Sequence, residues 1–409
     1  MARSVSRRAF VKLAGLGAVG AAAGPVALAS AAPRRTIKVG LLLSAEGHYA
    51  RMGESFAEGF RLYMEHANVH APLLTRPVVQ GHGGAYSGTT DLLAAGVDVV
   101  AAQITAPMAH LIAPLFEERR VPLVVANVGG HVQLPKQRSP QILHNSLLYW
   151  QSSFALGRWA AAKLGKTAFV ATSRPDSGYD TVFAFRRGFE AGGGAVVGSR
   201  ITHESRHEPG LTESFADIRN ARPSVVFANY SGPLAAEFRA AYLDSGLRTK
   251  LIGPTFLAEE LAAPLARRAA GITTASSWTP SDAVAASQIF QAAFTNRTGR
   301  KADAFTVLGH ETALLIVAAF RRGISQGRLA DALAGMKIEG VRGTLRVDPT
   351  TNTVRAPLHI RRVHRLGGRG VHYANSVFEA LPIVGPLPPA LAVLGEEQRA
   401  AYVNEVLCA

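Results

Sequence analysis

Cysteine is nearly absent: among 409 residues there is one, Cys408, the penultimate position. One thiol cannot close an internal disulfide or hold an iron–sulfur cluster by itself. No cysteine stands near the N-terminus either, so no lipid anchor is expected. Acid is scarce: 29 Asp and Glu face 44 Lys and Arg, a formal net charge of +15. Beyond the N-terminal segment there is no H-E-x-x-H, G-x-S-x-G or Walker A, and no S-x-x-K in a suitable context. These gaps argue against zinc-peptidase, serine-hydrolase and nucleotide-hydrolase chemistry. Two histidine pairs at i, i+4 spacing, His66/His70 and His203/His207, have the separation that chelates a metal from one helix face. Neither has a third ligand in view, so they read as surface histidines, and no metal or other cofactor is expected.

The first thirty-odd residues have their own chemistry. Arg3, Arg7, Arg8 and Lys12 precede an uncharged stretch from Leu13 to Leu28 rich in Ala, Gly and Val, and "ALASAA" then offers small-residue cleavage sites. That order is an export signal, and the adjacent Arg7–Arg8 resembles the twin-arginine type, assigned to residues 1–31. "GLGAVG" within it has dinucleotide-turn spacing, but it lies in the segment that cleavage removes. A spanning helix needs about 20 strongly apolar residues, and Gly and Ala insert poorly, so a retained anchor is the weaker reading. A soluble periplasmic protein of about 378 residues with a charge of about +11 is expected, enough for two domains. Seven arginines fall between Arg342 and Arg369. They are taken as a solvated strand face rather than a nucleic-acid patch.

Short apolar runs alternate with helical patterns along the chain. Strands are expected at Ile37–Leu43, Val97–Ile104, Val121–Asn127, Thr167–Thr172, Ser224–Tyr230 and Lys250–Thr255. Each is apolar throughout, as in parallel strands covered on both faces. Phe56, Phe60, Tyr63, Met64 and Ala67 make one helical stripe, and Val182, Phe185 and Phe189 another, which "AGGG" at Ala191–Gly194 terminates. The alternation predicts a doubly wound α/β architecture. "GTLRVD" and "VRAPLHIRRV" read as paired strands around the turn Asp348–Asn352.

Four segments carry a resemblance. "IKVGLLLSAEGHYARMGESFAEGFRLYMEHAN", "VDVVAAQITAPMAHLIAPLFEERRVPLVVAN", "DSGYDTVFAFRRGFEAGGG" and "VRGTLRVDPTTNTVRAPLHIRRV" resemble, in order and spacing, type I periplasmic solute-binding proteins of the leucine/isoleucine/valine-binding group. The likeness spans roughly residues 36 to 375. It implies two α/β lobes joined by three crossover strands, closing on a solute by hinge motion. The crossings are expected near Ile142–Ser146, Thr273–Trp278 and Lys337–Arg342. The first lobe would take 36–144 and 279–337, the second 145–278 and 338–378, with a tail at 379–409.

The resemblance also implies site residues. Thr105 and Ala106 stand where relatives hold a ligand carboxylate at a helix N-terminus; Thr105 equally suits a plain helix cap. Asn127 and Val128 offer groups after the next strand, Tyr179 and Tyr230 would cover the ligand, and Tyr49 and Met52 belong to the first loop. Amino-acid binders of this group place an acid after a Gly-Pro to meet the ligand's ammonium, but this chain has Thr255 and then Phe256. A buried ammonium without a carboxylate is costly. So Glu259, Glu260 or Glu311 substitutes, or the ligand has no amino group. Tyr149, Trp150 and Trp278 near the crossings would make the pocket aromatic. The expectation is a monomeric, non-enzymatic solute carrier for an amino acid or a related carboxylate or amide, possibly aromatic, with an ABC permease as partner. A periplasmic ligand sensor on the same fold is the alternative, and an exported cofactor enzyme is a weaker one.

Overall fold

In the computed structural model the described residues are 36–45, 51–78, 82–204, 210–259, 269–281, 283–324, 327–366 and 372–381. The export signal, Tyr49, His207, Glu260, Arg369 and the chain beyond Leu381 lie outside them.

The chain opens with strand β1 (Val39–Ser44), helix α1 (Met52–His66), β2 (Leu73–Val78), α2 (His82–Ala94), β3 (Val99–Ala102), α3 (Ala106–Arg119), β4 (Leu123–Asn127) and β5 (Ile142–Ser146). These strands lie parallel in the order β5-β4-β3-β1-β2. Successive side chains face opposite layers. Leu41 and Leu43 enter the core beneath α1, whereas Leu42 joins Val100, Ala102 and Ile112 on the other face. Two-sided burial is why these strands lack polar alternation.

The second unit runs through α4 (Tyr149–Lys163), β6 (Thr167–Ser173), a short turn α5 (Arg174–Ser177), α6 (Thr181–Ala191), β7 (Ala195–Thr202), α7 (Leu211–Ala221), β8 (Val225–Asn229), α8 (Gly232–Asp244), β9 (Lys250–Pro254) and β10 (Thr273–Ser276). The chain then returns to the first lobe with α9 (Ala285–Thr298), α10 (Ala304–Arg322) and α11 (Leu329–Leu333). Helix α10 is long and apolar enough to cross a membrane, but 72% of that window is buried inside the protein. It packs against α1 backbone to backbone. A Cβ on Gly59 would lie 1.9 Å from the Thr306 carbonyl oxygen, and one on Gly309 would lie 2.0 Å from that of Phe56. The second lobe repeats the device between α4 and α6: Gly157 meets the Phe185 carbonyl at 2.4 Å and Gly188 meets that of Phe154 at 2.0 Å. Both first helices carry F-A-x-G, at Phe56–Gly59 and Phe154–Gly157.

The C-terminal strands correct the expected lobe boundary. β11 (Ile338–Gly340), β12 (Gly343–Asp348) and β13 (Thr353–Arg355) extend the first sheet, β13 pairing in parallel with β5. Residues 338–355 therefore lie with the first lobe, not the second. Only β14 (Leu358–Leu366) and β15 (His372–Leu381) join the second sheet, in the order β15-β14-β10-β9-β8-β6-β7. The expected hairpin is split: β12 pairs with β13 around the turn, and the chain crosses at Ala356–Pro357. The third crossing is thus there and not at Lys337–Arg342.

Arg342, where that crossing was expected, is instead a buried node of the first lobe. Arg342 is fully enclosed, and its Nε donates to Glu311 at 2.7 Å. Its backbone N–H donates to the same carboxylate at 2.8 Å, Nη1 to the Ser146 carbonyl at 2.5 Å and Nη2 to Asn145 at 2.8 Å. Nη1 also reaches Ser277 Oγ, which itself donates to the Leu147 carbonyl at 3.0 Å. One guanidinium thus ties α10 to the first two crossings. Arg361 is equally buried and donates to Thr274, Glu259 and the carbonyls of Thr255 and Trp278. The expected solvated arginine face is corrected at these two positions, since each is buried with a carboxylate partner.

Candidate functional site

The carboxyl ends of the parallel strands in both sheets converge on one small void, the position where open α/β sheets bind ligands. Its walls are Met52, Val128 and Phe305 from the first lobe and Tyr149, Asp176, Tyr179, Ser231 and Phe256 from the second side. The void measures about 20 Å³, room for a single water. As the described side chains stand, it is too small for a solute larger than water.

Each wall residue sits just past a strand or at a helix start. Met52 begins α1, Val128 follows β4, and Phe305 lies in the first turn of α10, which Asp303 caps by accepting from the Thr306 backbone N–H at 2.7 Å. Phe256 follows β9 and stacks on Phe305 at 5.9 Å between ring centroids, with Tyr149 on it at 5.5 Å. Three aromatic rings thus bridge the lobes. Tyr179 closes another side, its ring 5.2 Å from that of His131.

The polar wall is Asp176. Its carboxylate accepts from Ser173 Oγ at 2.6 Å, Ser231 Oγ at 2.7 Å and the Ser231 backbone N–H at 3.1 Å. Its carbonyl accepts from Asn229 Nδ2 at 3.0 Å. This set binds the ends of β6 and β8 together and holds a carboxyl group at the edge of the void.

Of the residues expected at the site, Met52, Val128, Tyr179 and Phe256 line the void, as does Tyr149. Thr105 is buried and caps α3, accepting from the Met108 N–H at 3.2 Å, with Ala106 as the first helical residue. Asn127 is a brace: Nδ2 donates to the Ile104 carbonyl at 2.8 Å and Oδ1 accepts from the Gly129 N–H at 2.9 Å. It ties the loop bearing Thr105 to the one bearing Val128.

Thr105, Ala106, Asn127, Tyr230, Trp150, Trp278 and Thr255 do not line the void. Tyr230 stacks on Phe238 at 4.1 Å in the second-lobe core, its hydroxyl 2.8 Å from Thr202 Oγ1; burial raises its phenol above the usual range. Trp150 packs with Val132, Leu134 and Phe154, and Trp278 with Leu62, Phe290 and Phe294. Thr255 Oγ1 donates to the Ala275 carbonyl at 2.9 Å. Neither described candidate for the missing acid lines the void: Glu311 is held by Arg342 and Glu259 by Arg361.

Sequence reading missed Asp176, Ser231 and Phe305. Ser231 was recoverable from strand parity. Val226, Ala228 and Tyr230 share the face that enters one core, so the residue after Tyr230 must turn the other way. Phe305 carried no signal, because its lobe is completed by a helix just over 250 residues after Met52. Among the described residues no group of three or more His, Cys, Asp or Glu could hold a metal ion.

The sequence profile of the periplasmic binding protein family matches residues 36–368. The Leu/Ile/Val-binding protein homolog 6 of Brucella melitensis is 26% identical over 370 residues, covering 85% of this chain and 93% of that one. A solute-binding protein of an ABC transporter from Rhodopseudomonas palustris BisB5, solved with 3,4-dihydroxybenzoic acid, superposes with TM-score 0.73 at 24% identity, covering 86% of this chain and 98% of that one. The closed leucine-, isoleucine-, valine-, threonine- and alanine-binding protein of Brucella ovis gives TM-score 0.70 at 16% identity, covering 85% and 95%.

Proposed function

The chain belongs to the periplasmic binding protein family, and from that premise we propose that it captures a small aromatic carboxylate between its lobes and delivers it to an ABC importer. The observation that carries this reading is the composition of the void. Tyr149, Tyr179, Phe256 and Phe305 supply aromatic faces, and position 255, where an amino-acid binder would keep its acid, is a threonine bonded to backbone. Flat rings stack on such walls at offset or edge geometry. The N-terminus of α3, capped by Thr105, is the matching place for the carboxylate. The Rhodopseudomonas palustris relative, solved with a dihydroxybenzoic acid, agrees in kind. The basic balance of the sequence favours anionic solutes in the same direction.

In this reading the protein is exported through the twin-arginine route and works in the periplasm as a carrier without catalysis. Arg7–Arg8 is an address for folded export and has no part in the chemistry.

A second reading is favoured by one observation: Asp176 lines the void and could face the ammonium of an amino acid. One experiment separates them. Purified protein is denatured, the released solute is identified by mass spectrometry, and the refolded protein is titrated calorimetrically with benzoate, 4-hydroxybenzoate, 3,4-dihydroxybenzoate and leucine. An aromatic acid released or bound supports the first reading. Leucine binding with no response to the benzoates transfers support to the second. Neither class binding, and no solute released, overturns both.

A further inference from the structure

Asp176 and Ser231 both line the void, and the protons around them can be followed one by one. Ser173 Oγ accepts from the Asp176 backbone N–H at 3.1 Å, so its own proton goes to Asp176 Oδ2 at 2.6 Å. The Ser231 backbone N–H donates to that same oxygen at 3.1 Å, and the Ser231 hydroxyl donates to Oδ1 at 2.7 Å. Ser231 stands at the N-cap of α8, where a serine ordinarily accepts from the helix backbone, but it makes no capping bond. Its one hydroxyl proton is committed to Asp176, and only lone pairs remain for anything in the void. Behind them Asn229 is fully buried and gives its amide protons to Thr172 Oγ1 at 3.1 Å and the Asp176 carbonyl at 3.0 Å. Its Oδ1 has no donor among the described residues. Acceptors therefore outnumber donors where β6 and β8 end. The hydroxyls of Tyr149 and Tyr179, which also line the void, can donate or accept and do not oppose this.

We propose that Asp176 and Ser231 make an acceptor-only wall that selects aromatic acids bearing an O–H or N–H donor on the ring over acids whose ring substituent only accepts. It rests on the reading that an aromatic carboxylate is held between the lobes, and it adds which substituent that ring carries. The carboxylate's place is the N-terminus of α3 in the first lobe, and this wall stands at the ends of β6 and β8 in the second. The donor therefore belongs on the ring away from the carboxylate. A phenol or aniline there meets lone pairs it can bond. A nitro oxygen meets lone pairs with lone pairs, and a fluorine leaves the wall without a partner, which costs affinity in a buried site. The same bonds dictate what an amide at 176 would do. Two donors, the Ser231 N–H and the Ser173 hydroxyl, point at Oδ2, so the amide oxygen must take that place. The amide nitrogen then lies where Oδ1 was, donates to Ser231 Oγ, and turns the serine's proton toward the void.

The test is calorimetric titration of solute-free wild type and Asp176→Asn with the 4-hydroxy, 4-amino, 4-fluoro and 4-nitro benzoates, and with their 3-substituted isomers. Wild type is expected to bind the hydroxy and amino acids about tenfold more tightly than the fluoro and nitro acids at one of the two positions, the order of one hydrogen bond. In Asp176→Asn the preference for amino over nitro should fall by about tenfold or reverse. A merely structural aspartate would weaken all the acids alike and leave that ratio unchanged, and an unchanged ratio overturns the assignment. Should Asp176→Asn fail to fold, Ser231→Ala decides. It removes the hydroxyl but keeps the backbone N–H, so Asp176 Oδ1 meets the solute directly and the donor preference must persist or rise; its loss with binding retained overturns the proposal. Wild-type affinities that agree within about twofold between donors and acceptors at both ring positions also overturn it, while the aromatic-acid reading stands. If none of the benzoates binds wild type, that reading falls and the donor-selecting wall with it.

Discussion

Replacing Arg342 with methionine removes a side chain that joins α10 to two crossings. The guanidinium is fully enclosed, and it donates to Glu311, Asn145, Ser277 and the Ser146 carbonyl. Methionine fills much of the volume but donates nothing. Glu311, itself fully buried, is left with one bond from the residue 342 backbone N–H. Breaking a buried ion pair on one side costs about 3–5 kcal/mol, because the remaining charge is stranded. For a chain of this size, an unfolding entropy near 2 cal/mol/K per residue turns that into a fall in melting temperature of about 5 °C. Urea denaturation followed by far-ultraviolet circular dichroism measures the loss directly. The double variant Glu311→Met/Arg342→Met should recover about 2 kcal/mol relative to the sum of the single losses, since neither charge remains. A loss below about 1 kcal/mol in Arg342→Met, or strict additivity in the double, would refute the assignment of this pair as a buried structural node.

Gly130→Ala should weaken solute binding at least tenfold in calorimetry while leaving the urea midpoint nearly unchanged, because the new Cβ meets only the ring of Tyr179 and its neighbourhood. Gly309→Ala should instead destabilise by roughly 2 kcal/mol or more, since its Cβ meets the Phe56 carbonyl of a packed helix rather than a movable side-chain tip. Acid should also unfold the protein early. Burial depresses His144 and His310 to about 3, with the neighbours His110 and His66 adding to it, whereas an unfolded histidine titrates near 6.5. Between those values the unfolded chain binds more protons, so stability falls as pH falls, by roughly 1.4 kcal/mol per unit for each histidine. Denaturation curves at pH 4.5 and 6.5 should show that slope, and His310→Phe, among Tyr63 and Phe290, should reduce it.

Much of the fold was legible because parallel, two-sided strands leave a clear trace. The apolar runs from Ile37, Val97, Val121, Thr167, Ser224 and Lys250 all became strands, within a few residues. The missed ones include the edge strands β2 and β7, where one side faces solvent and the run is interrupted by Arg76 and Pro77 or by Gly198 and Ser199. Half-burial weakens the signal that full burial makes strong. Of the residues expected at the site, Met52, Val128, Tyr179 and Phe256, next to strand ends, line the void. The large aromatic residues were placed less well. Trp150, Trp278 and Tyr230 were drawn toward the cleft by their type, but each is committed to packing by strand parity or helix face.

By itself, then, the sequence determined the alternation of strands and helices, the family it resembles and the absence of an acid at position 255. These depend on local patterns and short-range neighbours. Tertiary structure alone decided which lobe receives residues 338–355, which of the described arginines between 342 and 365 are buried, and that Asp176, Ser231 and Phe305 share one void. Each of those is a pairing between segments far apart in the chain. Such pairings are fixed by sheet register and by which helix backbones can touch, and neither is written in any single segment.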